Sequence, residues 1–183
     1  MRFGSLALAA AVLLTFVPPA AAQSRDGVVG DLLADIDQVE QKVIGLAKAM
    51  PDAALAWRPM EGVRSTSEVL MHIASDNYFI PAMLDIPAPA ETGITKEYQT
   101  SATFEKRPVT RDAAIAEVQK SFAFLRKAMT GTPAAKLDAP VTVFGTKSTM
   151  RGMFIMATTH LHEHLGQLIA YARSNKVTPP WSK

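Results

Sequence analysis

Apolar positions recur at spacings of three and four along four stretches of the chain, the period of helices that bury one face. The first stretch runs from about Asp26 to Met50 and carries Val29, Leu32, Leu33, Ile36, Val39, Val43, Ile44 and Leu46, with Pro51 marking its end. The second begins after Ser65-Thr66-Ser67-Glu68, where Ser65 and Glu68 have the spacing of a capping box. It continues through Val69, Leu70, His72, Ile73, Tyr78 and Phe79, and Pro81 is expected to interrupt it. The third starts at Thr110, a good N-cap, and uses Ile115, Val118, Phe122, Leu125 and Met129 before Thr130-Gly131-Thr132-Pro133 stops it. The fourth starts near Ser148 or Thr149 and reaches about Ser174.

The connections refine this picture. Asp85 to Pro108 holds Pro87, Pro89 and Gly93 and reads as a long crossover loop with at most a helical turn. Val141-Thr142-Val143-Phe144-Gly145 reads as a short strand or hairpin. Four long amphipathic segments joined by two long connections predict an all-α fold, a four-helix bundle. With 183 residues, the chain has room for one such domain.

A different pattern precedes the first helix. Met1-Arg2 gives a positive start, Leu6 to Val17 is almost wholly apolar, and Pro18-Pro19 breaks the run before Ala20-Ala21-Ala22. That is the layout of a secretory signal peptide over residues 1–22, too short to span a bilayer as a helix of roughly 20 residues. The domain proper then occupies residues 23–183, in the periplasm or outside the cell, with no stable membrane insertion after cleavage.

Loss of Arg2 leaves a nearly neutral chain, and no basic run marks a nucleic-acid or anionic-membrane surface. Cysteine is absent. A thiolate nucleophile, a disulfide framework and cysteine-ligated metal are therefore excluded. About half of the residues are hydrophobic (48%), so a core alone can hold the domain together.

The chemistry concentrates in histidine, of which there are four. His160 and His164 stand four apart in the last helical stretch, one above the other on a single face. His72, in the second stretch, can supply a third imidazole from a facing helix. A lone histidine on an apolar face is usually an ordinary core or surface residue; three that fit one site point to a metal. His162 points about 200° away from His160 and is expected at the surface or between helices, with Glu163. Neutral imidazoles suit zinc, nickel, iron(II) or cobalt. Three protein ligands also leave a coordination position for water or substrate, as in catalytic sites. Asp76, four residues after His72, is read as a solvated carboxylate or else as an orienting group or general base. Asn77, Tyr78 and Gln167 are further candidates to line a pocket. Tyr98 and Phe104, in the long connection, are candidates to close over a substrate.

These residues resemble the DinB-like family of metal-binding four-helix bundles. The resemblance lies in Trp57-Arg58-Pro59, Gly62-Val63-Arg64-Ser65 and Glu68 to Ala74, with Asn77 one turn on. It is more specific in His160-x-x-x-His164-Leu165-Gly166-Gln167, in Tyr171-Ala172-Arg173 and in Pro179-Pro180-Trp181-Ser182. It implies one divalent transition metal, with zinc, nickel, iron or manganese as candidates, held by His72, His160 and His164. Many relatives carry a histidine just before the second ligand of the pair, where this chain has Glu163. Gly166 is expected to permit a close helix approach, and Gln167 to hydrogen-bond near the site.

The resemblance also implies thiol-dependent transfer or isomerisation, which needs a reduced thiol that an oxidising periplasm scarcely supplies. Hydrolysis of a small electrophile needs only water. The sequence thus points to a metal-dependent enzyme acting on a small molecule, against the alternative of a non-catalytic periplasmic metal- or ligand-binding protein. Bundles of this kind often dimerise through helix faces, though no interface is legible. The exported protein should begin near Gln23; intact-mass analysis that finds Met1 retained would overturn the export reading.

Overall fold

The computed structural model describes residues 27–182, and the expected export segment lies outside them. Four long helices form the body: α1 (Gly27–Ala49), α3 (Thr66–Met83), α5 (Arg111–Gly131) and α6 (Met150–Ser174). A one-turn helix α2 (Asp52–Leu55) follows α1, and α4 (Tyr98–Glu105) lies in the crossover between α3 and α5. Strands β1 (Pro140–Val143) and β2 (Thr146–Thr149) pair antiparallel as a hairpin leading into α6. Helices α1 and α3 each pack against both α5 and α6, which closes the four into a bundle.

The local signals explain where the helices start. Ser65 accepts a hydrogen bond from the Glu68 backbone N–H, and the Glu68 side chain accepts one from the Ser65 N–H, so α3 opens on a complete capping box. Thr110 caps α5 through the Ala113 N–H, and Thr149 caps α6 through that of Gly152. The core is built from the expected stripes: Leu33, Ile36, Val39, Val43 and Leu46 meet Val118, Phe122, Leu125 and Met129. Arg126 of α5 binds Asp37 and Glu40 of α1, tying those two helices at the rim.

Pro81 does not interrupt α3. It sits inside the last turn, and the helix runs on to Met83. Proline has no N–H to give the Asn77 carbonyl four residues back, but its fixed φ of about −65° is itself helical, so the last turn continues with one hydrogen bond fewer. The long connection is also more structured than a loop, because α4 covers α3 and leaves it buried on most of its faces. Most of the buried polar residues of α3 are paired, the Thr66 hydroxyl being an exception. Ser75 bonds the Ser101 hydroxyl at 2.7 Å, and Asn77 donates to the Ser121 hydroxyl at 3.0 Å. Among the described residues, no helix is long and apolar enough to cross a membrane.

Candidate metal centre

Helices α3 and α6 bring His72, Asp76, His160 and His164 together, with one donor atom from each lying within 4.8 Å of the others. The helical spacing of four does this twice, stacking His72 over Asp76 on α3 and His160 over His164 on α6. The Nε2 atoms of His160 and His164 are 3.1 Å apart. Asp76 Oδ2 lies 2.7 Å from His160 Nε2 and 3.3 Å from His72 Nε2. The three rings stand nearly perpendicular to one another, at 82°, 89° and 90°.

The outer nitrogens are as specific as the inner ones. His72 Nδ1 lies 2.6 Å from Glu105 Oε1, and Arg64 holds the other carboxylate oxygen of Glu105 through Nε at 3.0 Å and Nη2 at 2.9 Å. Burial pushes the Glu105 pKa up, but the His72 hydrogen bond and the Arg64 charge outweigh it, so the carboxyl titrates below its ordinary value. An ionised carboxylate only accepts, so His72 carries its proton on Nδ1 and turns a free lone pair on Nε2 inward.

His164 repeats the arrangement with an amide. Its Nδ1 meets Gln167 Oε1 at 2.9 Å. Gln167 donates its amide N–H to the Tyr171 hydroxyl, which in turn donates to the Arg64 carbonyl. That chain fixes the amide orientation, and with it the Nδ1–H tautomer of His164. Trp57 packs edge-on against Tyr171 at 5.1 Å and braces the end of the chain of bonds. Burial lowers the pKa of His164 to about 4, so it is neutral across physiological pH. His160 is raised instead, first by its hydrogen bond to Asp76.

Donors around an ion at about 2.0–2.1 Å sit about 3.0–3.4 Å apart, which the 3.1 Å between His160 and His164 matches. Imidazoles whose outer N–H groups are held by a carboxylate or carbonyl are also the usual form of histidine at a metal. The group can hold a metal ion.

Several expectations change here. Asp76 is not solvated: its side chain is 13% exposed and belongs to the group. Asn77 and Tyr78 do not line the site, since Asn77 bonds Ser121 and the Tyr78 hydroxyl donates to Glu117 on α5. Phe104 is buried in the core, whereas Tyr98 is exposed. Gly166 does not serve a close approach, because an added Cβ would meet nothing within 4 Å. His162 bonds Asp35 of α1 at 2.7 Å, and Glu163 is exposed beside His160. Glu105 belongs to no motif of the sequence. Its only trace in the sequence is the i, i+3, i+4 placing of Ser101, Phe104 and Glu105, the buried face of α4.

Two hollows flank this centre, and one of them reaches the donors. An apolar cavity of about 250 Å³ ends on His72, Asp76 and His160. A polar hollow of about 600 Å³ touches Glu105 and Gln167, the acceptors behind the rings, and is flanked by Arg58, Arg64 and Lys106.

A helical bundle with three imidazoles and a carboxylate converging from two of its helices is an all-α protein with a group that can hold a metal ion. The chain belongs to the DinB superfamily, whose sequence profile matches residues 35–168. No curated protein matches it. Its fold is similar to that of a DinB-like protein from Bacillus cereus, with a TM-score of 0.64, 17% identity, and coverage of 84% of this chain and 97% of that one. A DinB-like protein from Bacillus subtilis gives 0.61 and 16%, covering 81% and 93%. A putative DinB family member from Exiguobacterium sibiricum gives 0.59 and 21%, covering 81% and 91%.

His160→Ala or His164→Ala should abolish stoichiometric metal binding while His162→Ala keeps it. Glu105→Gln should retain the site but weaken affinity by roughly 10- to 100-fold. Equal losses in the two α6 variants and His162→Ala, read by metal analysis after dialysis, would contradict the geometry. A proton on His160 competes with a metal, and its raised pKa means that competition begins above the ordinary histidine value of about 6.5. Zinc affinity should therefore fall as pH drops through neutrality, and His164 should add to the fall only at more acidic pH. Affinity that stays flat from pH 8 to 5 in a chelator competition would argue against imidazole donors.

Proposed function

We propose that this protein is a divalent-metal-dependent enzyme acting on a small molecule, with hydrolysis as the favoured chemistry and His72, His160 and His164 as ligands. One observation carries the reading: an open cavity ends on His72, His160 and Asp76 together, so a substrate entering it meets the donors and a carboxylate at once. A bound zinc, nickel, iron or manganese ion would supply Lewis acidity, polarising a carbonyl and lowering the pKa of a water or thiol that it takes up.

The chain's own residues do the rest. Glu105 and Gln167 hold the Nδ1 protons of His72 and His164, so both rings keep their orientation while a substrate binds. Asp76 lines the cavity end and is the carboxylate that would take the proton an attacking water gives up. The apolar walls lower the local dielectric and strengthen each of these interactions. Thiol transfer is the competing chemistry at the same site. The apolar run before Ala20-Ala21-Ala22 supports export to the periplasm, where reduced thiols are scarce.

A second reading has its own support. If Asp76 is a fourth ligand, a tetrahedral ion is fully enclosed and the protein is a non-catalytic metal binder. Asp76→Asn separates the two. In metal-loaded protein screened against small esters and amides, the variant should keep about one ion per chain and lose activity by roughly 10²–10⁴-fold. Loss of the ion with the activity would make Asp76 a ligand. An absence of turnover with zinc, nickel, iron and manganese alike would favour the binding protein.

A further inference from the structure

The donor stripes of α3 and α6 continue beyond the metal group as apolar stripes. After His72 and Asp76, the same face of α3 carries Phe79, Ile80 and Met83; one turn before His160, α6 carries Met156. These side chains wall the 250 Å³ cavity, and His72, Asp76 and His160 are its only polar lining apart from the Tyr98 hydroxyl. The volume is below the roughly 300–1,000 Å³ of sites for drug-sized ligands but above the roughly 150 Å³ apolar cavity that takes a benzene ring. It has room for one ring or a short alkyl chain. The apolar walls offer an anionic tail no cation.

The mouth is framed by two exposed aromatic rings. Phe79 is buried on the wall, and Tyr98 of α4 and Phe144 of the hairpin tip flank it at ring separations of 6.2 and 6.3 Å. Phe144 is 74% exposed and has φ +49°. With Gly145 at φ +77° and Val143 paired to Thr146, the tip is a two-residue type I′ turn, whose first position favours Asn, Asp or Gly. Phenylalanine there carries both backbone strain and exposed apolar surface, and the hairpin's packing does not need it, since Val141 and Val143 are the strand residues set against the core.

We infer that the substrate is a small neutral molecule with an apolar tail, alkyl or single-ring, lying in this chamber with its polar head at the metal group. Phe144 and Tyr98 close over the tail and select it. The inference rests on the metal-centre reading and names the substrate class for it.

Alkyl hydroxamates test it, because they join a chelating head to a tail of chosen length. With zinc-loaded protein, calorimetric affinity should rise from acetohydroxamate to hexanohydroxamate by about fourfold for each buried methylene. Phe144→Asn should remove most of the gain for the hexanoyl compound, leave acetohydroxamate unchanged, and keep or raise thermal stability, because asparagine suits the turn. Met156→Ser, on the α6 wall, should show the same tail-specific loss. Affinity independent of tail length on zinc-bearing protein, or a Phe144→Asn variant that retains the gain, would overturn the chamber and leave the metal reading intact. If zinc does not bind, the metal reading fails and hexanamide titration decides for the chamber. Shifts in the ring NMR signals of Phe79, Tyr98 and Phe144 would support it, and unmoved signals would overturn it.

Discussion

A buried imidazole must place both of its nitrogens, and that requirement organises much of this structure. An unpaired N–H in a core costs on the order of 1–3 kcal/mol, so each partly buried ring needs an acceptor behind it. His72 finds Glu105 and His164 finds Gln167, and both lines of contact converge on Arg64, one through its guanidinium and the other through its carbonyl. The residue just before the α3 cap thus anchors helices α3, α4 and α6 to one another. With the outer nitrogens occupied, the inner lone pairs have only one place to point, which is at each other and at Asp76. That arrangement suits a cation.

The same requirement gives the crossover its role. Helix α3 is buried on most of its faces, and the covering α4 provides both an apolar residue, Phe104, and an ionised acceptor, Glu105. The groove between α3 and α6 then divides along its length. Turns near His72 and His164 are polar and closely bonded; turns near Met83 and Met156 are apolar and open to the hairpin tip. One stripe on each helix changes from donor to wall, so chemistry and recognition are built from the same two elements.

The four long helices were legible in the sequence because their apolar spacing and their caps at Ser65, Thr110 and Thr149 are local. The three histidines that meet were also legible, since helical spacing alone stacks His160 over His164 and excludes His162. What the sequence concealed depends on neighbours far along the chain. Asp76 has the spacing of a solvated helix-face carboxylate, and only the approach of α6 takes it out of water. Glu105 lies in a connection punctuated by proline and glycine, where a single eight-residue helix leaves little periodicity to read. Pro81 looked like a stop, but its fixed φ is itself helical, and the last turn runs on past it with one hydrogen bond fewer. Gly166 looked like a contact point, yet small residues need not be where helices touch.

In the proposed centre, three imidazoles hold one ion with room left beside it. X-ray absorption at the metal edge of the nickel- or zinc-loaded protein tests this most directly, because imidazole rings scatter distinctively and can be counted. Three imidazoles at about 2.0–2.1 Å are expected, with at least one further light-atom position whose occupant changes when acetohydroxamate is added. Two or fewer imidazoles, or a shell that acetohydroxamate leaves unaltered, would contradict the proposed centre.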